Sequence, residues 1–222
     1  MKSLLTHIRS KRIIPILVIF YSVGVVGMIL PSTRNLFMKL TPITLLLSTV
    51  LLFIYHDNYS RKFWIIAISI FLAGFFVEVL GVKTGLLFGN YTYGDTLGLK
   101  LFNTPLMIGI NWLMLVYCTL SIAGKYVQKG YYRAVIAAAT MVVYDFALEP
   151  SAIYFNMWDW AGGAGTLQNY LAWFIIAFIL CYSADFFGLL RKRNKIASPL
   201  FFIQLLFFIA LDLWIFAEKI WD

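Results

Sequence analysis

The sequence predicts an all-α polytopic membrane bundle of about seven transmembrane helices. Three observations lead there. Hydrophobic residues make up 62% of the 222 and charged residues 13%, where a soluble domain carries ~45–50% and ~25%. The apolar residues run continuously for lengths near the ~20 residues that span a bilayer core, instead of alternating as in a transmembrane barrel. Lys and Arg gather in short clusters between these runs. Net charge is +8, but clustered in this way it marks loops on one side of a membrane and no nucleic-acid surface.

The runs cover 13–30, 40–55, 63–82, 104–124, 133–149, 168–187 and 198–217. The first follows Lys2, Arg9, Lys11 and Arg12, is long for a signal-peptide core and lacks a small-residue cleavage site before Pro31. It reads as a retained helix. The second is short and the fifth is interrupted by acids, so charge must settle the count. With seven spans, 13 of the 18 Lys and Arg fall on one side and 5 on the other. The positive-inside rule then puts the N-terminus in the cytoplasm and the C-terminus outside. The chain reads as a single transmembrane domain, 1–222, of a prokaryotic inner membrane. The acid-interrupted fifth helix should stop at Glu149, because Pro150 disfavours helical geometry in the residue before it.

Two loops on the expected external side combine glycine with aromatics: 81–103, GVKTGLLFGNYTYGDTLGLKLFN, and 150–167, PSAIYFNMWDWAGGAGTL. Glycine gives backbone freedom and Tyr and Trp anchor at the interface. The pair reads either as an aromatic belt with turns or as two lids over a site. Alternation over Asn90–Gly94 allows a small local hairpin.

Histidine usage narrows the chemistry. His7 and His56 are the only two, both in basic flanks. Lipid hydroxylases and desaturases built on non-haem iron need several His ligands, and haem usually needs one. Cys118 and Cys181 lie inside apolar runs without metal spacing and read as packing residues. No cofactor is expected, which leaves carboxylates, amides, hydroxyls and aromatics.

Five acids fall within or at the ends of apolar runs: Glu78, Asp145, Glu149, Asp185 and Asp212. A carboxylate there costs ~2.5–3.5 kcal/mol on insertion scales and is a functional candidate by default. Counting from the cytoplasmic face at ~1.5 Å per residue, Glu78, Asp145 and Asp212 each climb about 18–22 Å. Asn111, entering on helix four from outside, reaches a similar depth, and Glu149 stands one turn above Asp145 on the same face. One polar layer under the two aromatic loops is expected. Asp185, at the opposite end beside Arg191 and Lys192, reads as a solvated structural pair. Neighbouring desolvated carboxyls near helix C-termini do not all carry charge, and a protonated acid beside an ionised one can serve as general acid and base. A satisfied structural cluster and an ion or proton pathway are alternative readings.

Protonation of an alkene fits such a layer. The acid gives a proton to an isoprenoid double bond, and aromatic faces and a carboxylate stabilise the tertiary cation. Trp112, Tyr144, Tyr154, Trp158 and Trp160 are candidate aromatics. Water captures the cation to give an alcohol, or a neighbouring double bond captures it to give a ring.

Glu78, Gly81, Gly85, Phe88-Gly89-Asn90-Tyr91-Thr92-Tyr93, Leu97-Gly98, Pro105 and Asn111-Trp112, with Asp145, Glu149-Pro150 and Trp158-Asp159-Trp160, resemble the carotenoid biosynthesis membrane family that includes carotenoid 1',2'-hydratases and bisanhydrobacterioruberin hydratase. The resemblance covers about 78–112 and 145–160. It implies cofactor-independent addition of water across the terminal double bond of an acyclic carotenoid, giving a 1'-hydroxy end group. The partners implied are a lipid-soluble carotenoid, water and membrane lipid. Within this reading Asp145 or Glu78 donates the proton, Glu149 and Asn111 position water, Tyr91 and Tyr93 close the pocket or hydrogen-bond the new hydroxyl, Trp112, Tyr144 and Trp158 line it, and Asp212 tunes the acids; Asp212 is outside the family pattern. Rival readings are a cyclase using the same protonation, a proton-coupled carrier, and a retinal photoreceptor. A carrier would be expected to show inverted repeats, and a photoreceptor needs a lysine midway along helix seven, where only Lys219 stands, at its end.

Overall fold

The computed structural model describes residues 2–190 and 194–221 and, for side chains, 12–190 and 194–220. Seven helices follow in order: α1 (Lys2–Ile29), α2 (Pro31–Ile54), α3 (Arg61–Thr84), α4 (Leu106–Ala123), α5 (Gly130–Tyr154), α6 (Leu167–Phe186) and α7 (Ala197–Trp221). All seven are long and apolar enough to cross a membrane. Their outward faces carry Ile19, Ile65, Ile68, Phe146, Leu206 and Leu213, each more than half exposed, a band of apolar surface that only lipid would cover.

The middle helix is the post of the bundle. In α4, 83% of the spanning window is buried, against 17–50% in the other six, and α2, α3, α5, α6 and α7 all pack on it. Small residues let helices close in where lipid offers no hydrophobic drive. A Cβ on Gly74 of α3 would lie 2.5 Å from Cβ of Trp112 on α4. Ala134, Ala137, Ala138 and Ala152 of α5, with Ala177, Cys181 and Ala184 of α6, are fully buried and let α5 and α6 pack side by side.

Three boundaries differ from the sequence expectation. Helix α2 begins at Pro31, nine residues before its apolar run, because Pro suits a first helical turn and Arg34 folds back onto the carbonyls of Met28 and Ile29. Helix α5 does not stop at Glu149 but runs through Pro150 to Tyr154. Proline removes one N–H yet is tolerated in membrane helices when neighbours satisfy the freed groups. The Asn90–Gly94 stretch forms no local hairpin. Its strand β1 (Tyr91–Tyr93) pairs antiparallel with β4 (Trp158–Trp160) from the second loop. The short pair β2 (Lys100–Leu101) and β3 (Thr104–Pro105) precedes α4.

The β1–β4 ladder stitches the two aromatic loops into one cover. Gly94 N–H donates to Met157 and Ala161 N–H to Asn90, extending it at both ends. With a period of two, Tyr91, Tyr93, Trp158 and Trp160 turn inward while Thr92 and Asp159 stay exposed.

Candidate functional site

Beneath that cover lies a carboxyl pocket. Glu78 is 2% exposed, Asp145 2% and Glu149 6%. The three line one cavity of about 30 Å³ together with Tyr91, Tyr93, Asn111 and Asn169, under Trp158 and Trp160.

Glu78 owes its place to the α3–α4 contact. Gly74, one turn below, admits the Trp112 ring, and Trp112 Nε1 then donates to Glu78 Oε1 at 3.0 Å. Gly81, three residues above, leaves room for the Tyr91 hydroxyl. Tyr91 and Tyr93 donate to Oε2 at 2.6 and 2.8 Å. Both phenols sit in β1, outside the spans. Burial first, then the adjacent Glu78, holds their pKa above the ordinary value, so they stay protonated donors at neutral pH.

Asp145 and Glu149, four apart, share a face of α5. Asp145 Oδ2 accepts from Asn169 Nδ2 of α6 at 3.1 Å. Glu149 Oε1 accepts from Trp160 Nε1 and lies where a Cβ on Gly165 would come within 3.2 Å. Glu149 Oε2 and Trp158 Nε1 are buried and make no hydrogen bond of full geometry, but the Trp158 indole N–H lies near enough to the Glu149 carboxyl to interact with it. The Asn111 side chain, on the same wall, makes no hydrogen bond among the described residues. A buried water usually makes about three hydrogen bonds and needs roughly 10–15 Å³. The cavity therefore has both the room and the polar groups to hold one or two waters.

A second, larger cavity adjoins the first. It measures about 160 Å³ and is mostly apolar, walled by α1, α2, α4, α5 and α7 and by Leu97, Met157 and Trp158 of the two loops. Ile108, Asn111, Leu148 and Trp158 line both cavities. They are the partition between an apolar slot and an acid pocket.

The structure brings together seven of the expected site residues around the acid pocket: Glu78, Tyr91, Tyr93, Asn111, Asp145, Glu149 and Trp158. Trp112 joins them through Glu78. Tyr144 lies apart, in the apolar slot. Asp212 does not join the layer; it pairs with Ser151. At 100° per residue Ser151 points about 200° away from Glu149 on α5, so α7 meets the opposite side of that helix. Tyr154 is also outside, bonded to Glu218 and Arg34. Asp185 does pair structurally, but with Arg133 of α5; Arg191 and Lys192 lie outside the described residues.

Two residues of the site were not singled out in the sequence. Asn169 orients Asp145, and Trp173, one turn further along α6, stacks on Trp112 with centroids 4.2 Å apart. An amide buried in an apolar run is the same signal that marks Asn111, and Trp173 sits at the i+4 spacing from it. Among the described residues no three His, Cys, Asp or Glu side chains are grouped as metal ligands.

Comparison with known proteins gives the chain's family. A profile of the carotenoid biosynthesis protein family matches residues 40–221, which takes in α3 to α7 and every residue of the acid pocket. The chain belongs to the carotenoid biosynthesis protein family. It is also similar to a bisanhydrobacterioruberin hydratase from Haloarcula japonica, 24% identical over 140 residues, 57% of this chain. The chain covers 46% of that relative's length. No solved structure matches the chain.

Proposed function

We propose that this protein is a carotenoid hydratase of a prokaryotic inner membrane, adding water to the terminal C=C bond of an acyclic carotenoid end without a cofactor. The observation that carries the reading is the partition: a water-sized pocket bearing three carboxyls shares a wall with an apolar slot. A slot of about 160 Å³ is smaller than the ~300–1,000 Å³ of a pocket that holds a whole drug-sized ligand. It suits the end of a long polyene whose remainder lies in lipid.

Roles follow from the hydrogen bonds. Trp112 N–H can only donate, and both tyrosines donate to the other oxygen, so Glu78 is set as an acceptor. Asp145, whose carboxyl is held through one oxygen by Asn169, is the proton donor in this reading. Its proton passes to the less substituted alkene carbon, and the π electrons form the new C–H bond. The tertiary cation left behind is stabilised by the Glu78 carboxylate and by the stacked Trp112 and Trp173 rings. Water held at Glu149 Oε2, Trp158 Nε1 and Asn111 attacks that carbon. Its surplus proton passes to Glu149 and from there back to Asp145, one turn away. One water is consumed and no redox change occurs.

Expression in a host making lycopene or γ-carotene tests the reaction. A product heavier by one water is expected. A product of unchanged mass would make the protein a cyclase instead, and an unchanged carotenoid profile in both hosts would overturn the reading.

A further inference from the structure

The apolar slot contains polar groups that a hydrocarbon would leave unused. Ser48 Oγ donates to the Thr44 carbonyl at 2.8 Å. Ser48 therefore accepts from the Tyr21 hydroxyl, 2.7 Å away, and Tyr21 in turn accepts from Gln204 Nε2, also at 2.7 Å. The direction of this relay is set by its last acceptor. It commits the nitrogen end of the Gln204 amide, which also touches Met114 Sδ at 3.6 Å. The other end, Gln204 Oε1, is buried and has no partner, although Gln204 is 3% exposed and lines the slot. Tyr144 lines the same slot and is 2% exposed. Its ring is fixed against Phe201 and Phe208, and its hydroxyl makes no hydrogen bond among the described residues.

An unpaired carbonyl in a dry interior is costly to keep. Asn111 and Trp158 on this cavity belong to the partition with the acid pocket; the unused acceptor of Gln204 and the unused phenol of Tyr144 are further polar groups on its mostly apolar wall that a ligand can engage. A hydroxyl is the smallest group that satisfies both, donating to the carbonyl and accepting from the phenol.

We propose that Gln204 and Tyr144 form a hydroxyl-reading pair, so that the preferred occupant of the slot is an isoprenoid chain bearing an alcohol rather than a bare hydrocarbon. This deepens the hydratase reading and rests on it for the identity of the substrate. The hydroxyl belongs either to an incoming chain, which an earlier hydroxyl-installing reaction must then supply, or to the alcohol this site produces.

The test uses the full chain in nanodiscs and two C15 probes, farnesene and nerolidol, an acyclic hydrocarbon and a tertiary alcohol of the same carbon count. Binding is read by competition against labelled nerolidol and corrected with empty discs. The wild type is expected to prefer the alcohol by roughly thirtyfold, about fivefold for each of the two added hydrogen bonds. Gln204→Leu and Tyr144→Phe should each shrink that preference while farnesene binding stays within about twofold. Equal binding of the two probes by the wild type overturns the proposal without recourse to any variant, and so does a preference that survives both substitutions. In carotenogenic cells, loss of turnover by Gln204→Leu confined to a hydroxylated substrate assigns the hydroxyl to the incoming chain. Relief of product inhibition in that variant, with turnover kept, assigns it to the product. The binding ratio is independent of turnover, so failure of the hydratase reading leaves this measurement interpretable.

Discussion

Replacing Glu78 by Gln isolates the charge of the acid pocket from its packing. The side chains are nearly isosteric, and the three partners divide conveniently. Trp112 N–H can keep the amide oxygen as its acceptor. The two tyrosine hydroxyls, 2.6 and 2.8 Å from the other position, can rotate and accept from the new NH₂ group. Exchanging charge-assisted bonds for neutral ones loses roughly 1 kcal/mol each, so the protein should remain folded in the membrane with lowered stability. Glu78→Ala would instead strand Trp112 Nε1 and both hydroxyls, at about 1–3 kcal/mol apiece. It is expected to misfold and is uninformative. Removing one preorganised electrostatic stabiliser typically costs 10²–10³ in kcat, and that loss is expected for Gln. The assay is chromatography with mass detection of carotenoids from a lycopene-producing host, normalised to membrane-inserted protein. Product within about threefold of wild type would refute the role given to Glu78, whatever the family.

Four further outcomes are expected. Asp145→Asn should abolish product while Asp185→Asn keeps it, the latter losing only about 1–3 kcal/mol of stability from its partly buried pair with Arg133; thermal shift and product chromatography on the same preparations separate the two effects. A Thr92→Cys, Asp159→Cys double variant should cross-link under oxidation, since the two are register partners and the native cysteines are buried. It should stay active, because α1, α2 and α7 also wall the apolar slot and offer a lipid-borne chain a way in beside the loops; activity lost on oxidation and regained on reduction would show that the cover opens. Gly74→Ala should cost about 1–3 kcal/mol by overpacking, because its Cβ would meet Trp112 at 2.5 Å; an unchanged melting temperature would contradict the close α3–α4 contact. His56 donates from Nε2 to the Asn58 carbonyl and its Nδ1 lies 2.8 Å from the Tyr117 hydroxyl, and burial lowers its pKa from 6.5. A depressed folded pKa contributes stability above the unfolded value, lost as pH falls through 6.5 towards the folded pKa; His56→Gln should flatten the melting temperature between pH 7.5 and 5.5.

The spans were legible because a continuous apolar run of ~20 residues has few other stable fates. Helix ends were less so. Hydropathy ignores the polar first turns of α2, where Arg34 is spent on the carbonyls of α1. The Pro150 rule describes a local preference that packing around Ser151 and Ala152, both fully buried, overrides. Residue depth along each helix could be counted, and it brought Glu78, Asn111 and Asp145 to one level. Rotation about the helix axis could not be counted across helices, so Asp212 was given the right depth and the wrong side of α5. The β1–β4 pairing was hidden for a related reason: the partners of Tyr91-Thr92-Tyr93 lie 65 to 69 residues away, and alternation alone does not say with what a strand pairs.

Water capture rather than ring closure follows, in the proposed reading, from how the polar groups are divided between the two cavities. Closing a ring requires the chain to curl until a second double bond reaches the cation, and so requires an apolar volume on the side where the cation forms. Here that side is the acid pocket of about 30 Å³, which has room for one or two waters and none for a folded chain. In this reading Glu149, Trp158 and Asn111 on its walls take an oxygen nucleophile next to the partition. The slot of about 160 Å³ keeps the rest of the end group away. Enlarging the partition should therefore change the product before it changes the rate of protonation. Leu148→Ala removes three carbons from the shared wall, and cyclic product emerging in that variant, at the expense of alcohol, is the expected outcome. Alcohol alone at undiminished yield would mean that pocket volume does not choose between the two fates.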